Sequence, residues 1–178
     1  MITDNQLAEV SRTRLAAQID KRTAGKAMLD TAIEGLSFYR QNEAASSCSL
    51  CVVEPSIAMV VQGMKSMTLG DDTFQYDKNR FLITSLDLPA RMQVLEANKE
   101  TPYLGLVIKF DLAVMSELIL QAPYVKPTES LSDKGMVLGH TTPELYNACE
   151  RLVNLLDEPD SIPVLAPLIK REIFWRVL

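Results

Sequence analysis

The sequence predicts a mainly β fold with added α-helices: an antiparallel barrel or sandwich followed by a C-terminal helical unit. Three observations predict it. The stretch from Val53 to Phe110 breaks into short runs separated by Gly, Asp, Asn or Pro, as consecutive antiparallel strands do. After Phe110 the apolar spacing changes from a period of about 2 to one of about 3.6 residues. The same stretch contains no histidine and no cysteine, so its strands offer none of the usual transition-metal ligands. A small barrel of that composition suits a container or an interaction surface better than a catalyst.

The elements follow in order. Residues Asp4 to Lys21 predict a helix, with Leu7, Val10, Leu15, Ala16 and Ile19 at helical spacing and Asp4 as its N-cap. Arg22–Gly35 reads as a connection with little regular structure, since Gly25 and Gly35 interrupt it. Leu36–Gln41 alternates and is the first expected strand; Asn42–Ser49 is a polar loop of small residues. The expected barrel strands are Ile57–Gln62, Lys65–Leu69, Thr73–Tyr76, Phe81–Ser85, Ala90–Leu95 and Tyr103–Phe110. Gly63-Met64 suits a two-residue hairpin, with Gly supplying the positive φ of a type II′ turn. Gly70-Asp71-Asp72 and Asp77-Lys78-Asn79 are further turn signals.

Side chains alternate across a strand. Parity therefore places Met92 and Val94 inside, with Arg91 and Gln93 outside. It places Leu104, Leu106, Ile108 and Phe110 inside, with Lys109 in water. Ile57–Val61 is apolar on both faces and is expected to be covered on both.

Asp111 caps a helix through about Gln121. Ala122–Gly139 reads as a loop with a short strand near Gly135–Leu138. Thr142-Pro143-Glu144 combines an N-cap, a proline at the first helical position and an acid in the first turn. Leu145, Cys149, Leu152, Val153 and Leu156 give that helix one apolar face. Asp157–Ser161 is a turn, and Pro163 opens a last helix. That helix carries more apolar residues than one buried stripe needs. Large exposed apolar surface usually means a partner, so a homodimer is expected through this region, with Leu145, Leu152, Leu156, Ile169 and Ile173 at the contact. No residue closes the helix before Leu178, which predicts that the natural chain continues.

Composition sets the remaining bounds. The chain has 178 residues, 47% of them hydrophobic and a net charge of −5. The longest unbroken apolar run, Ile57–Val61, is far too short to cross a membrane. The N-terminus lacks the basic and apolar regions of a secretory signal. Three cysteines, an odd number, fit a reducing compartment, and a cytoplasmic location is expected. The basic residues are scattered, so this part of the chain lacks the footprint of a nucleic-acid binder.

No constellation points to catalysis, metal or cofactor. His140 is the single histidine, and a lone histidine before a helix is more often an exposed loop residue than a base. Cys48-Ser49-Leu50-Cys51 is a C-x-x-C that leads into extended chain, not into the helix a redox motif requires. With Cys149 and His140 it makes a soft quartet of no standard zinc spacing. Asp71, Asp72 and Asp77 lack the glycine and terminal glutamate of a calcium loop.

Several blocks together resemble a known family. Val53-Glu54-Pro55-Ser56-Ile57-Ala58-Met59-Val60-Val61-Gln62-Gly63-Met64-Lys65 resembles the opening barrel segment of the N-terminal domain of AraC-type transcriptional regulators. Phe74–Asp77, Leu82–Pro89, Pro102–Leu106 and Pro167–Ile173 continue the pattern. The resemblance covers most of the chain from Leu36 onward, and the Cys48–Cys51 pair has no place in it. It implies a cupin-like barrel at residues 36–110, after an N-terminal helix and connection at 1–35 and before a helical dimerisation region at 111–178. It also implies a DNA-binding domain downstream, through which promoter DNA would be bound. The expected role is sensing of a small-molecule effector, without enzymatic activity. Candidate lining residues are Phe38, Arg40, Met59, Tyr76, Met92, Val94, Leu104 and Leu106, for each of which plain barrel core is the commoner role. A stand-alone metal-free cupin-like enzyme and a purely structural dimerisation module are the alternatives.

Overall fold

The computed structural model describes residues 4–123 and 135–178. Two antiparallel sheets face each other, and helices cover the outer face of the larger one. Ten strands are described: β1 (Met28–Asp30), β2 (Leu36–Gln41), β3 (Ser49–Val53), β4 (Ser56–Gln62), β5 (Met64–Leu69), β6 (Asp72–Tyr76), β7 (Arg80–Thr84), β8 (Leu88–Glu96), β9 (Tyr103–Lys109) and β10 (Met136–His140). The large sheet runs β1-β2-β9-β4-β7-β10 and the small sheet β3-β8-β5-β6. The helices are α1 (Asp4–Arg22), α2 (Leu112–Gln121), α3 (Pro143–Asn154) and α4 (Ile162–Val177). The expected turn at Asp157–Ser161 is a pair of short 3₁₀ turns, Leu155–Asp157 and Pro159–Ser161.

The caps anticipated for α2 and α3 are present. The Asp111 side chain accepts from the Ala113 and Val114 amides, and Thr142 Oγ1 accepts from the Leu145 amide. Each satisfies amides that the first helical turn leaves without partners.

Three expectations are corrected. Arg22–Gly35 contains β1, a three-residue edge strand paired with β2, too short to leave a period in the sequence. The Cys48–Cys51 stretch is mostly strand β3, paired with β8. Gly63 does not turn a hairpin, because β4 and β5 belong to different sheets. It turns the corner between them at φ +85°, and a Cβ there would lie 2.4 Å from the Glu96 carbonyl oxygen. No other residue type fits that backbone and that gap.

The large sheet divides the apolar interior into two layers. Its outer face carries Phe38, Ile57, Met59, Val61, Phe81, Leu104, Leu106 and Ile108, which pack with Leu15 and Ile19 of α1, Leu145, Cys149 and Leu152 of α3, and Ile173 and Phe174 of α4. Its inner face carries Val60, Leu82, Tyr103 and Met136, which meet Met67, Tyr76, Ala90 and Val94 of the small sheet. β4 is thus covered on both faces, as its sequence predicts. The described helices do not include one long and apolar enough to cross a membrane.

Candidate functional site

The space between the sheets is not filled. A cavity of about 250 Å³ lies there, lined by apolar groups including Val53, Ala58, Met67, Leu82 and Met92, together with Tyr39, Cys51, Lys65, Tyr76 and Thr84. Glu54 and Lys109 also border it and form an ion pair with each other at 2.5 Å. A second cavity of about 320 Å³ adjoins it and shares Tyr39, Lys65 and Met92. The adjoining strands explain the lining. In the small sheet Lys65 stands opposite Tyr76 on one side and Val94 on the other, while Met67 stands opposite Phe74 and Met92. Opposed residues share a face, so one row of β5 presents Lys65 and Met67 inward together.

The sequence-predicted lining divides in two. Tyr76, Met92 and Val94 belong to the layer between the sheets. Phe38, Met59, Leu104 and Leu106 lie in the layer beneath the helices instead. Arg40 borders the second cavity, while its guanidinium bonds the Asp20 carboxylate of α1 and Asn42. Alternation groups the residues correctly, but on β9 the inward side is the opposite one: Val107 and Lys109 border the cavity, and Leu104 and Leu106 face the helices. What alternation cannot say is which of two apolar faces meets the barrel, because the other meets helices and is at least as apolar. Ile108 and Phe110 are displaced from the barrel for the same reason.

Lys65 is the residue that sequence reasoning missed. Its side chain is buried at 7% exposure and makes no ion pair with any described residue. Its ammonium stands 5.7 Å from the ring centroids of both Tyr39 and Tyr103. The Tyr103 ring can lie there because residue 105 is glycine: a Cβ on Gly105 would come within 2.5 Å of the Tyr103 hydroxyl. Ring faces attract a desolvated ammonium by about 2 kcal/mol. Removing that charge from water costs several kcal/mol, so the rings offset only part of it. Burial accordingly lowers the Lys65 pKa, and proximity to Cys51 opposes the shift only weakly. Tyr76, directly across the strand pair, is 2% exposed and its hydroxyl has no hydrogen-bond partner. Burial raises its pKa well above the ordinary tyrosine value, so it remains a protonated donor. The sequence did carry a signal: Lys65 shares strand parity with Met67 and Leu69.

The cysteines are free. Cys48 is exposed, Cys51 is half-buried on the cavity wall, and Cys149 is buried 3.6 Å from the Met59 sulfur. Burial raises the thiol pKa of Cys51, and that of Cys149 to about 12. The described residues contain no cluster of three or more His, Cys, Asp or Glu placed to hold a metal ion.

The five residues expected at a dimer contact belong to the chain's own core. Leu145, Leu152 and Ile173 are fully buried in it, and Leu156 and Ile169 pack against it half-buried. The apolar residues left in water on α4 are Val164, Leu165, Leu168 and Trp175.

The sequence model of the AraC-type transcriptional regulator N-terminus matches residues 32–178. The chain belongs to this family. Among solved structures it is similar to apo ToxT K231A from Vibrio cholerae strain SCE256, at 9% identity and a TM-score of 0.50, over 79% of this chain and 55% of that one. It is also similar to the AraC-like transcriptional activator CuxR, at 13% identity and a TM-score of 0.41, over 80% of this chain and 50% of that one. A salicylate 1,2-dioxygenase mutant from Pseudoaminobacter salicylatoxidans matches at 13% identity and a TM-score of 0.33, over 74% of this chain and 36% of that one. No curated protein matches. The chain thus spans about half the length of the regulators it resembles.

Proposed function

We propose that this chain is the effector-sensing part of a longer, cytoplasmic AraC-type regulator. A small molecule enters the cavity between the sheets and binds one conformation better than another. It shifts the regulator's equilibrium only by that difference in affinity. The helices beneath the large sheet carry the bias to a DNA-binding domain downstream, and two copies associate. No catalysis is assigned to the barrel. Among the described residues the one carboxylate on the cavity wall, Glu54, is tied to Lys109.

The observation that carries this reading is the cavity of about 250 Å³. A purely structural barrel of this size would be filled by its own side chains. Filling it supplies the test. Ala58 lines the cavity, and Ala58→Phe should abolish the thermal shifts that a library of small organic molecules produces in the wild-type chain. Hits that survive this substitution, or a library without hits, would count against sensing through this cavity.

A further inference from the structure

We infer that the cavity takes a small organic anion with an apolar body, whose charged head lies between the Lys65 ammonium and the Tyr76 hydroxyl. The inference rests on the sensing role proposed above and names the ligand chemistry for the same site.

Three observations on this chain carry it. Lys65 is buried without an ion pair to any described residue, and Tyr76 is buried with an unpartnered hydroxyl. The two stand directly opposite each other on β5 and β6 and line one cavity. Both are hydrogen-bond donors, and a protonated lysine accepts nothing. A cavity whose unpartnered polar groups both donate is complementary to an acceptor, and one donor's positive charge selects a negative acceptor. A neutral or cationic ligand would leave the ammonium uncompensated. Such buried groups are almost always partnered when a site is complete.

The rest of the wall fixes the body of the ligand. Val53, Ala58, Met67, Leu82 and Met92 are apolar, and methionine side chains adapt to ligands of different shape. The cavity exceeds the roughly 150 Å³ that accepts benzene, which leaves room for a ring or a short chain beside the head group. The Glu54–Lys109 pair at the border is already satisfied, so Lys65 is the cavity's uncompensated cation among the described residues.

The experiment compares anions with their uncharged analogues by calorimetry on the wild-type chain. Hexanoate and 3-phenylpropanoate are set against 1-hexanol and 3-phenyl-1-propanol. The expected result is at least tenfold tighter binding of each carboxylate than of its alcohol. Lys65→Met should erase that preference while keeping alcohol binding, and Tyr76→Phe should weaken carboxylate binding several-fold. Circular dichroism checks that both variants fold, and Lys65→Gln stands in if Lys65→Met does not. Equal binding of carboxylate and alcohol by the wild type would overturn the anion assignment and leave the cavity reading standing. Preference retained in the Lys65 variants would overturn the assignment to this lysine. No binding of any of the four at millimolar concentration would overturn both.

Discussion

At the scale of single residues, Lys65 concentrates the tension between stability and function. Its folded pKa is lowered by burial from its ordinary value of 10.5, so the unfolded chain binds the proton more tightly. Folding is therefore handicapped below the folded pKa, and stability rises with pH from there towards the unfolded value. Replacing the ammonium by an apolar side chain of similar length removes the handicap. Lys65→Met is expected to stabilise the chain by on the order of 1 kcal/mol, or a few degrees in Tm; a lower Tm would show that the ammonium is compensated in the folded chain. Anion binding should run the other way, weakening as pH climbs through the folded Lys65 pKa. The groups facing that ammonium are Tyr39, Tyr103, Tyr76 and Cys51, with the Glu54–Lys109 pair on the same cavity wall. Burial raises all three tyrosines and Cys51 and lowers Lys65. The cysteines offer an independent check on the layering. Iodoacetamide near neutral pH should label Cys48 first and Cys51 slowly, and should reach Cys149 only on unfolding, because the thiolate is the nucleophile and burial suppresses it.

At the scale of elements, the corner at Gly63 decides how one chain makes two sheets. Any side chain there must adopt φ +85° and meet the Glu96 carbonyl at 2.4 Å. Gly63→Ala should destabilise by roughly 2 kcal/mol or more, read as a lower denaturation midpoint; an unchanged midpoint would mean that the corner relaxes freely. The same corner shows where sequence reading reaches and where it stops. The strands β4 to β9 and the helices α1 to α4 follow from period, proline placement and caps such as Asp111 and Thr142. Gly63 announces a turn, but local chemistry does not distinguish a hairpin from a change of sheet, since both need a positive φ. Strands β1 and β3 escaped because one has three residues and the other does not alternate, its apolar Leu50 and Val52 facing water. The cavity was half legible. Alternation sorted Met92 from Gln93 and Leu104 from Lys109, yet β4 is apolar on both sides, and on β2 and β9 the more apolar side faces the helices rather than the cavity. Which side met helices was settled by α1, α3 and α4 packing on Phe38, Met59, Leu104 and Leu106, a tertiary fact with no local signature.

At the scale of the whole molecule, the arrangement places the cavity and the helical layer on opposite faces of one sheet. Met59 of β4 touches Cys149 of α3, while Val60 beside it belongs to the inter-sheet layer. A ligand that moves β4 by part of an ångström is thereby felt by α3 without any intervening loop. Association should use the surface that this packing leaves over. The outward face of α3 carries Glu144, Asn147, Arg151 and Asn154, all exposed, and suits water. The outward face of α4 carries Val164, Leu165, Leu168 and Trp175, with Leu168 61% and Trp175 46% exposed. Positions 164, 168 and 175 recur at helical spacing on one side. A two-fold dimer would use this patch on both subunits, so one substitution weakens the contact twice. Leu168→Glu should then yield folded monomers, raising the dissociation constant by at least tenfold in sedimentation at unchanged circular dichroism. Leu152→Glu should behave differently, since Leu152 is fully buried under the chain's own sheet. A carboxylate there has no partner and costs several kcal/mol, so loss of ellipticity is expected. A wild-type chain that stays monomeric at high micromolar concentration, or a Leu168→Glu variant that dimerises like the wild type, would remove α4 as the contact.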